Sequence, residues 1–160
     1  MRELRINKRV LYYAQYGSKV EALDADGNYT GDVVITYGHP VEFRCNISPA
    51  KGASAIGMFG ISFDYSKTVT TDDMSCPMNE SSVVWLGLPP NIAEYSATST
   101  YAEGTYCFHD NGIFKASESI ETAEVWNDAH WEKVPHNYVI VLAARGLWSI
   151  TYALKEVEVS

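Results

Sequence analysis

Tyr138-Val139-Ile140-Val141-Leu142-Ala143-Ala144, then Arg145-Gly146, then Leu147-Trp148-Ser149-Ile150-Thr151-Tyr152-Ala153-Leu154-Lys155-Glu156-Val157 is the stretch whose reading decides the fold. Two apolar runs meet at a glycine, and in the second Ile150, Tyr152 and Leu154 alternate with Thr151, Ala153 and Lys155. A period of two sends successive side chains to opposite faces of a strand, so the stretch predicts a β-hairpin with one face turned to a core. Trp148 falls on the returning strand in this reading and is assigned to the core, as is Trp85.

The same signature recurs upstream. Residues 9–16 (RVLYYAQY) predict a first strand ended by Gly17-Ser18. In Asp24-Ala25-Asp26-Gly27-Asn28 the Asp-Gly step supplies the positive φ of a tight turn. Residues 32–37 and 41–47 predict strands around Gly38-His39-Pro40, with Val41, Phe43, Cys45 and Ile47 as a buried row. In residues 60–66, Ile61, Phe63 and Tyr65 point one way and Ser62, Asp64 and Ser66 the other; Asp72-Asp73 stops that strand. Residues 82–88 are an apolar strand ended by Pro89-Pro90, since proline donates no ladder hydrogen bond. About six or seven such strands predict an all-β protein, a small antiparallel barrel or sandwich. Phe43, Phe63, Tyr65, Trp85, Ile140, Ile150 and Tyr152 belong to its predicted core.

Two segments interrupt the pattern. Residues 48–58 are mostly small, and their side chains offer little area against an ordering cost of roughly 1–2 kcal/mol per residue, so a long mobile loop is expected. Between Asn91 and Lys133 stand eight acidic residues and two basic ones, six of the chain's net eight negative charges. This stretch, about 91–133, reads as an insertion within a single domain spanning 1–160. Ile120, Ala123, Trp126 and His130 would share one face of a helix over residues 117–131, with acids toward its N-terminus.

At 160 residues the chain suits one domain able to bury roughly 70% of its unfolded surface. Apolar residues at 46% and charged residues at 20% exclude a disordered chain, and no run of about 18 apolar residues suggests a membrane span. The basic start (Arg2, Arg5, Lys8, Arg9) leads into no apolar h-region, so no signal peptide is expected. Cys45, Cys76 and Cys107 are odd in number and form no C-x-x-C pair, which favours a reducing compartment over a disulfide framework. No basic stripe of the kind that wraps nucleic acid is visible.

Candidate chemistry is sparse. Cys107, His109 and Asp110 lie close together, but the spacing matches no metal-ligand set. Asp72 with Asp73, and Glu121 with Glu124, read as exposed turn and surface acids more readily than as an acid/base pair. No nucleophile elbow, Walker loop or dinucleotide fingerprint is present. No catalytic residue, metal or cofactor is therefore expected, and the chain reads as a non-enzyme. Trp126 and Trp131, in the insertion, are candidates for contact with a neighbouring subunit.

Taken in order, the Arg9-Val10-Leu11-Tyr12-Tyr13 strand, the turn at residues 24–29, the strand 41–47, the loop 48–60, the Tyr65-Lys67-Thr68 strand and the C-terminal hairpin resemble the head-tail joining proteins of tailed bacteriophages, also called head-completion or stopper proteins. The likeness covers residues 2–88 and 137–160; the acidic stretch between them is longer than that pattern. The resemblance implies a structural virion protein of a phage or prophage, assembled in the bacterial cytoplasm. Its copies would form a homo-oligomeric ring between the portal or adaptor and the tail proteins and help retain packaged DNA, touching it in passage without reading its sequence. It also implies a channel loop, carried here by Pro49, Lys51, Gly52, Ile56, Met58 and Phe59. The alternative from another class is a small-ligand-binding or hydrolytic β-barrel with the acidic insertion as its lid.

Overall fold

Six strands close into an antiparallel barrel in the computed structural model, which describes residues 8–49 and 65–157. In chain order the strands are β1 (Arg9–Ala14), β2 (Tyr16–Leu23), β3 (Tyr29–Tyr37), β4 (Val41–Pro49), β5 (Lys67–Thr71), β6 (Val83–Leu86), β7 (Ala93–Glu94), β8 (Tyr106–His109), β9 (Gly112–Ala116), β10 (Trp131–Lys133), β11 (Tyr138–Arg145) and β12 (Ile150–Glu156). The barrel runs β1-β4-β5-β12-β11-β6 and back to β1. The other strands form a two-stranded ribbon, β2-β3, and a four-stranded sheet ordered β10-β9-β8-β7. The fold is thus all-β, as the alternating rows predict, and of the two forms they allow, barrel or sandwich, it is the barrel.

Every barrel pair is antiparallel, so the strands alternate in direction and each connection belongs to one end. The ribbon, which joins β1 to β4, and the β11–β12 turn stand at one end. At the other end lie the start of β1, the facing pair Pro49 and Lys67, and the chain's departure from β6 into the insertion.

Alternation fills the interior. Leu11, Tyr13, Cys45, Val69, Val84, Ile140, Ile150, Tyr152 and Leu154 pack together inside. The intervening residues of β1 and β6 are buried as well: Tyr12, Ala14, Val83 and Trp85 face outward and meet Phe108 and Ile113 of the inserted sheet. Two strands are thus covered on both faces, and burying a large apolar side chain is worth roughly 1.5–3 kcal/mol. The Trp85 indole N–H donates to the Val134 carbonyl at 2.9 Å, a second tie between the layers.

Several expectations need correction. Residues 117–131 form no α-helix: Ile120 bridges back to Tyr101, and a single 3-10 turn, Asp128–His130, leads into β10. Aromatic packing within the small sheet overrides the helical spacing. Trp148 is 79% exposed, because Gly146 N–H donates to Ser149 O at 2.8 Å and this tight turn leaves Leu147 and Trp148 at the hairpin tip. The first strand ends at Ala14, and Tyr16 opens β2. In β4, Val41 is exposed and Phe43 only half-buried; Tyr65 is half-buried too, and Phe63 lies outside the described residues. No helix among the described residues is long and apolar enough to cross a membrane.

Candidate functional site: the barrel mouth and the exposed ribbon

At the end of the barrel where β1 begins, a groove of about 580 Å³ opens. Val10, Ile47, Leu86, Leu88 and Pro90 give it an apolar wall, and Arg9, Lys67, Asn137 and Tyr138 supply its polar groups. The Asn137 amide is pinned to the backbone of β6: its Nδ2 donates to the Leu86 carbonyl at 2.9 Å and its Oδ1 accepts from the Leu86 N–H at 2.8 Å. Burial pushes the Tyr138 phenol above its ordinary value, with Glu156, its partner across the β11–β12 ladder, adding to the effect. Arg9 and Lys67 are the charged groups among the described lining residues, with Glu156 just outside them. Among the described residues, the lining offers no carboxylate, imidazole, thiol or aliphatic hydroxyl.

Pro49 faces Lys67 across the β4–β5 ladder, so the connection between them starts and finishes at this rim. Of the predicted channel loop, Pro49 closes β4, whereas Lys51, Gly52, Ile56, Met58 and Phe59 lie outside the described residues.

The opposite end carries the ribbon. Among the described strands β2 and β3 pair only with each other, and Tyr16, Val20, Leu23, Tyr29, Val33, Val34 and Ile35 are all exposed on them. Its tip follows the sequence reading: the Gly27 N–H donates to the Asp24 carbonyl at 3.0 Å, the Asp24 carboxylate accepts the Asp26 and Asn28 N–H groups at 2.9 Å each, and Gly27 takes φ 84°. The sequence offered no signal that this hairpin leaves the barrel, since alternation looks the same on a free ribbon as on a packed strand.

Trp126 and Trp131 come together inside the insertion, stacked at 5.4 Å and 18°. Tyr95 and Tyr101 meet Trp131 edge-on, and His109 lies flat on Trp126. Trp131 is buried and Trp126 half-buried, so what they offer a neighbour is mainly one Trp126 edge beside the exposed Val125. The remaining candidate groups have local roles. The Asp73 carboxylate accepts from the Ser75 hydroxyl and N–H, which holds its pKa low, and Asp72 lies 3.9 Å from Lys8. His130 sits between Glu124 and Glu118, whose carboxylates approach its two ring nitrogens. Cys107 is buried while Asp110 is exposed in the β8–β9 turn, and no group of three His, Cys, Asp or Glu among the described residues is placed to hold a metal. Comparison with protein-family models, curated proteins and solved structures gives no match for the chain.

Proposed function

We propose that the chain is a structural subunit of a tailed-phage or prophage virion, one copy of a ring in the head-tail connector that joins the portal to the tail and helps retain packaged DNA. The observation that carries this reading is the ribbon. Of the large hydrophobic side chains exposed among the described residues, seven lie on β2 and β3 and four elsewhere (Val41, Val125, Leu147 and Trp148). A two-stranded hairpin is marginal alone in water, and a protruding arm of this composition belongs to a subunit built for assembly.

The rim supports the same reading. The loop that the family likeness assigns to the channel leaves between Arg9 and Lys67, where cations would meet a passing phosphate backbone. The net charge of −8 limits adhesion, so DNA would slide past without sequence-specific binding. Partners on this reading are other copies of the chain, the portal or adaptor, and tail proteins; the chain would reside in the virion after assembly in the host cytoplasm and turn over no substrate.

The test is genetic and visual. A phage lacking this chain should accumulate heads without tails, and negative-stain images of the protein mixed with its portal assembly should show a ring seated on the portal. Deleting residues 53–57 should leave the barrel folded while heads leak DNA or fail to join tails. Normal virions from the null phage would reject the connector role. A second reading, a small-ligand-binding or hydrolytic barrel with the insertion as lid, draws on the groove at the mouth; stabilisation of the protein by small organic anions in a thermal-shift screen would favour it.

A further inference from the structure

The geometry points to a two-fold contact between copies of this chain, made edge to edge by β3, that joins two ribbons into one four-stranded antiparallel sheet. The inference does not rest on the connector reading.

The barrel is closed and offers no edge, and the inserted sheet ends in strands of two and three residues, β7 and β10. Among the described strands, the long unpaired edges therefore belong to β2 and β3 alone. Such an edge presents a row of free backbone donors and acceptors, and natural proteins usually blunt it with lysine, proline or a charge. β2 is blunted, with Lys19 and Glu21 in the middle of its regular ladder. β3 is not: its regular stretch is Val33-Val34-Ile35-Thr36, four β-branched residues, and the strand's one charge is Asp32.

That stretch is self-complementary. Two antiparallel β3 strands centred on Val34 place Val34 against Val34, Val33 against Ile35 and Asp32 against Thr36, so apolar meets apolar and no like charges face each other. The rows continue outward through each ribbon's own ladder, in which Val20 pairs with Val34, Glu21 with Val33 and Lys19 with Ile35. One face then reads Val20, Val34, Val34, Val20 across four strands. The other reads Glu21, Val33, Ile35, Lys19, an apolar centre with an acid on one flank and a base on the other. Pairing β3 with a neighbour's β2 at the same height would instead set Ile35 against Lys19 and Val33 against Glu21. Val33, Val34 and Ile35 are 53%, 52% and 45% exposed in the single chain, and a strand added alongside would bury their open flank. A contact of this kind is isologous and closes on itself, so it joins two subunits, or two rings, but does not propagate a ring.

The test uses the full chain. Cys45, Cys76 and Cys107 are buried, so V34C adds one accessible thiol at the two-fold axis. Under mild oxidation V34C should run as a covalent dimer on a non-reducing gel, whereas V20C, one strand further out, should not. Ile35→Lys, on the exposed ribbon, should keep the far-UV circular dichroism of the parent and lose the two-chain mass seen by sedimentation velocity. A parent that stays monomeric at tens of micromolar, a V34C variant that fails to cross-link, or cross-linking that needs V20C and V34C together would each overturn the two-fold contact. None of these outcomes bears on whether heads join tails.

Discussion

The Tyr12 hydroxyl donates to the Pro89 carbonyl at 2.7 Å, joining an outward-facing residue of the first barrel strand to the start of the insertion 77 positions later. The same oxygen accepts the Ile92 N–H at 3.4 Å, and Tyr12 has no exposed surface. Tyr12→Phe keeps the ring in place and leaves that carbonyl and that N–H without a partner. A loss of about 1–2 kcal/mol by urea denaturation is expected, with an unchanged m-value. A neutral effect would mean that the insertion is held by apolar contact alone.

Ile113 is fully buried where the insertion meets β1 and β6. Ile113→Ala should cost roughly 2–5 kcal/mol. If barrel and insertion are one cooperative unit, near-UV signals from Trp85 and Trp131 will melt together; separate transitions would show that the barrel stands without its outer sheet.

Trp148→Ala should change stability by less than about 0.5 kcal/mol, as at an exposed surface position. Trp85→Ala, at a residue 6% exposed with its indole N–H bonded, should cost roughly 3–5 kcal/mol. Equal effects would place the β11–β12 tip in a contact the single chain lacks.

His130 and His136 pull in opposite directions with pH. The hydrogen bond that the His130 ring N–H donates to the Glu124 carboxylate raises the His130 pKa above 6.5 against a desolvation effect, and the Glu124 and Glu118 charges add to it. A raised folded-state value means that its contribution is complete below 6.5 and is lost as pH rises through the folded-state pKa. Burial lowers the His136 pKa, helped by Lys133, and its ring packs edge-on to Trp85 and Tyr37. Its contribution is complete above 6.5 and is lost as pH falls through the lowered value. Proton NMR titration should give His130 a midpoint above 6.5 that Glu124→Gln brings down, and His136 a midpoint below it. The reverse order would refute both environments.

Burial pushes the Cys107 thiol up to about 12, with Glu94 adding a smaller push, and Cys45 and Cys76 are buried as well. The native protein should resist a thiol-specific reagent at pH 8 and release three equivalents once unfolded. Fast labelling of the native state would expose an opening motion absent from the closed barrel.

Much of the barrel was legible because its rows obey a strict period of two. Leu11 and Tyr13, or Ile150, Tyr152 and Leu154, point into one core, and a one-residue slip would turn each row outward. The turn at Asp24 was legible because its chemistry is local. Residues 117–131 misled because Ile120 and Trp126 suit a helix in spacing, yet each is claimed by a partner outside the segment, Tyr101 and His109, while His130 turns back onto Glu118 and Glu124. Trp148 misled because one turn's geometry decides whether a tryptophan beside a glycine faces the core or the solvent. For the candidate site, the sequence marked residues 49–60 and not the rim they leave from, since Arg9, Lys67 and Tyr138 become neighbours only when the barrel closes.

The pairing of Pro49 with Lys67 makes the barrel a mount with a fixed socket. Both anchor points belong to one rung of the ladder, so the socket sets where a loop begins and ends and leaves its length open. Doubling such a loop costs only about 0.6 kcal/mol of closure entropy. A peptide grafted between these two points would be held at both ends by the β4–β5 register, which recommends the position for display.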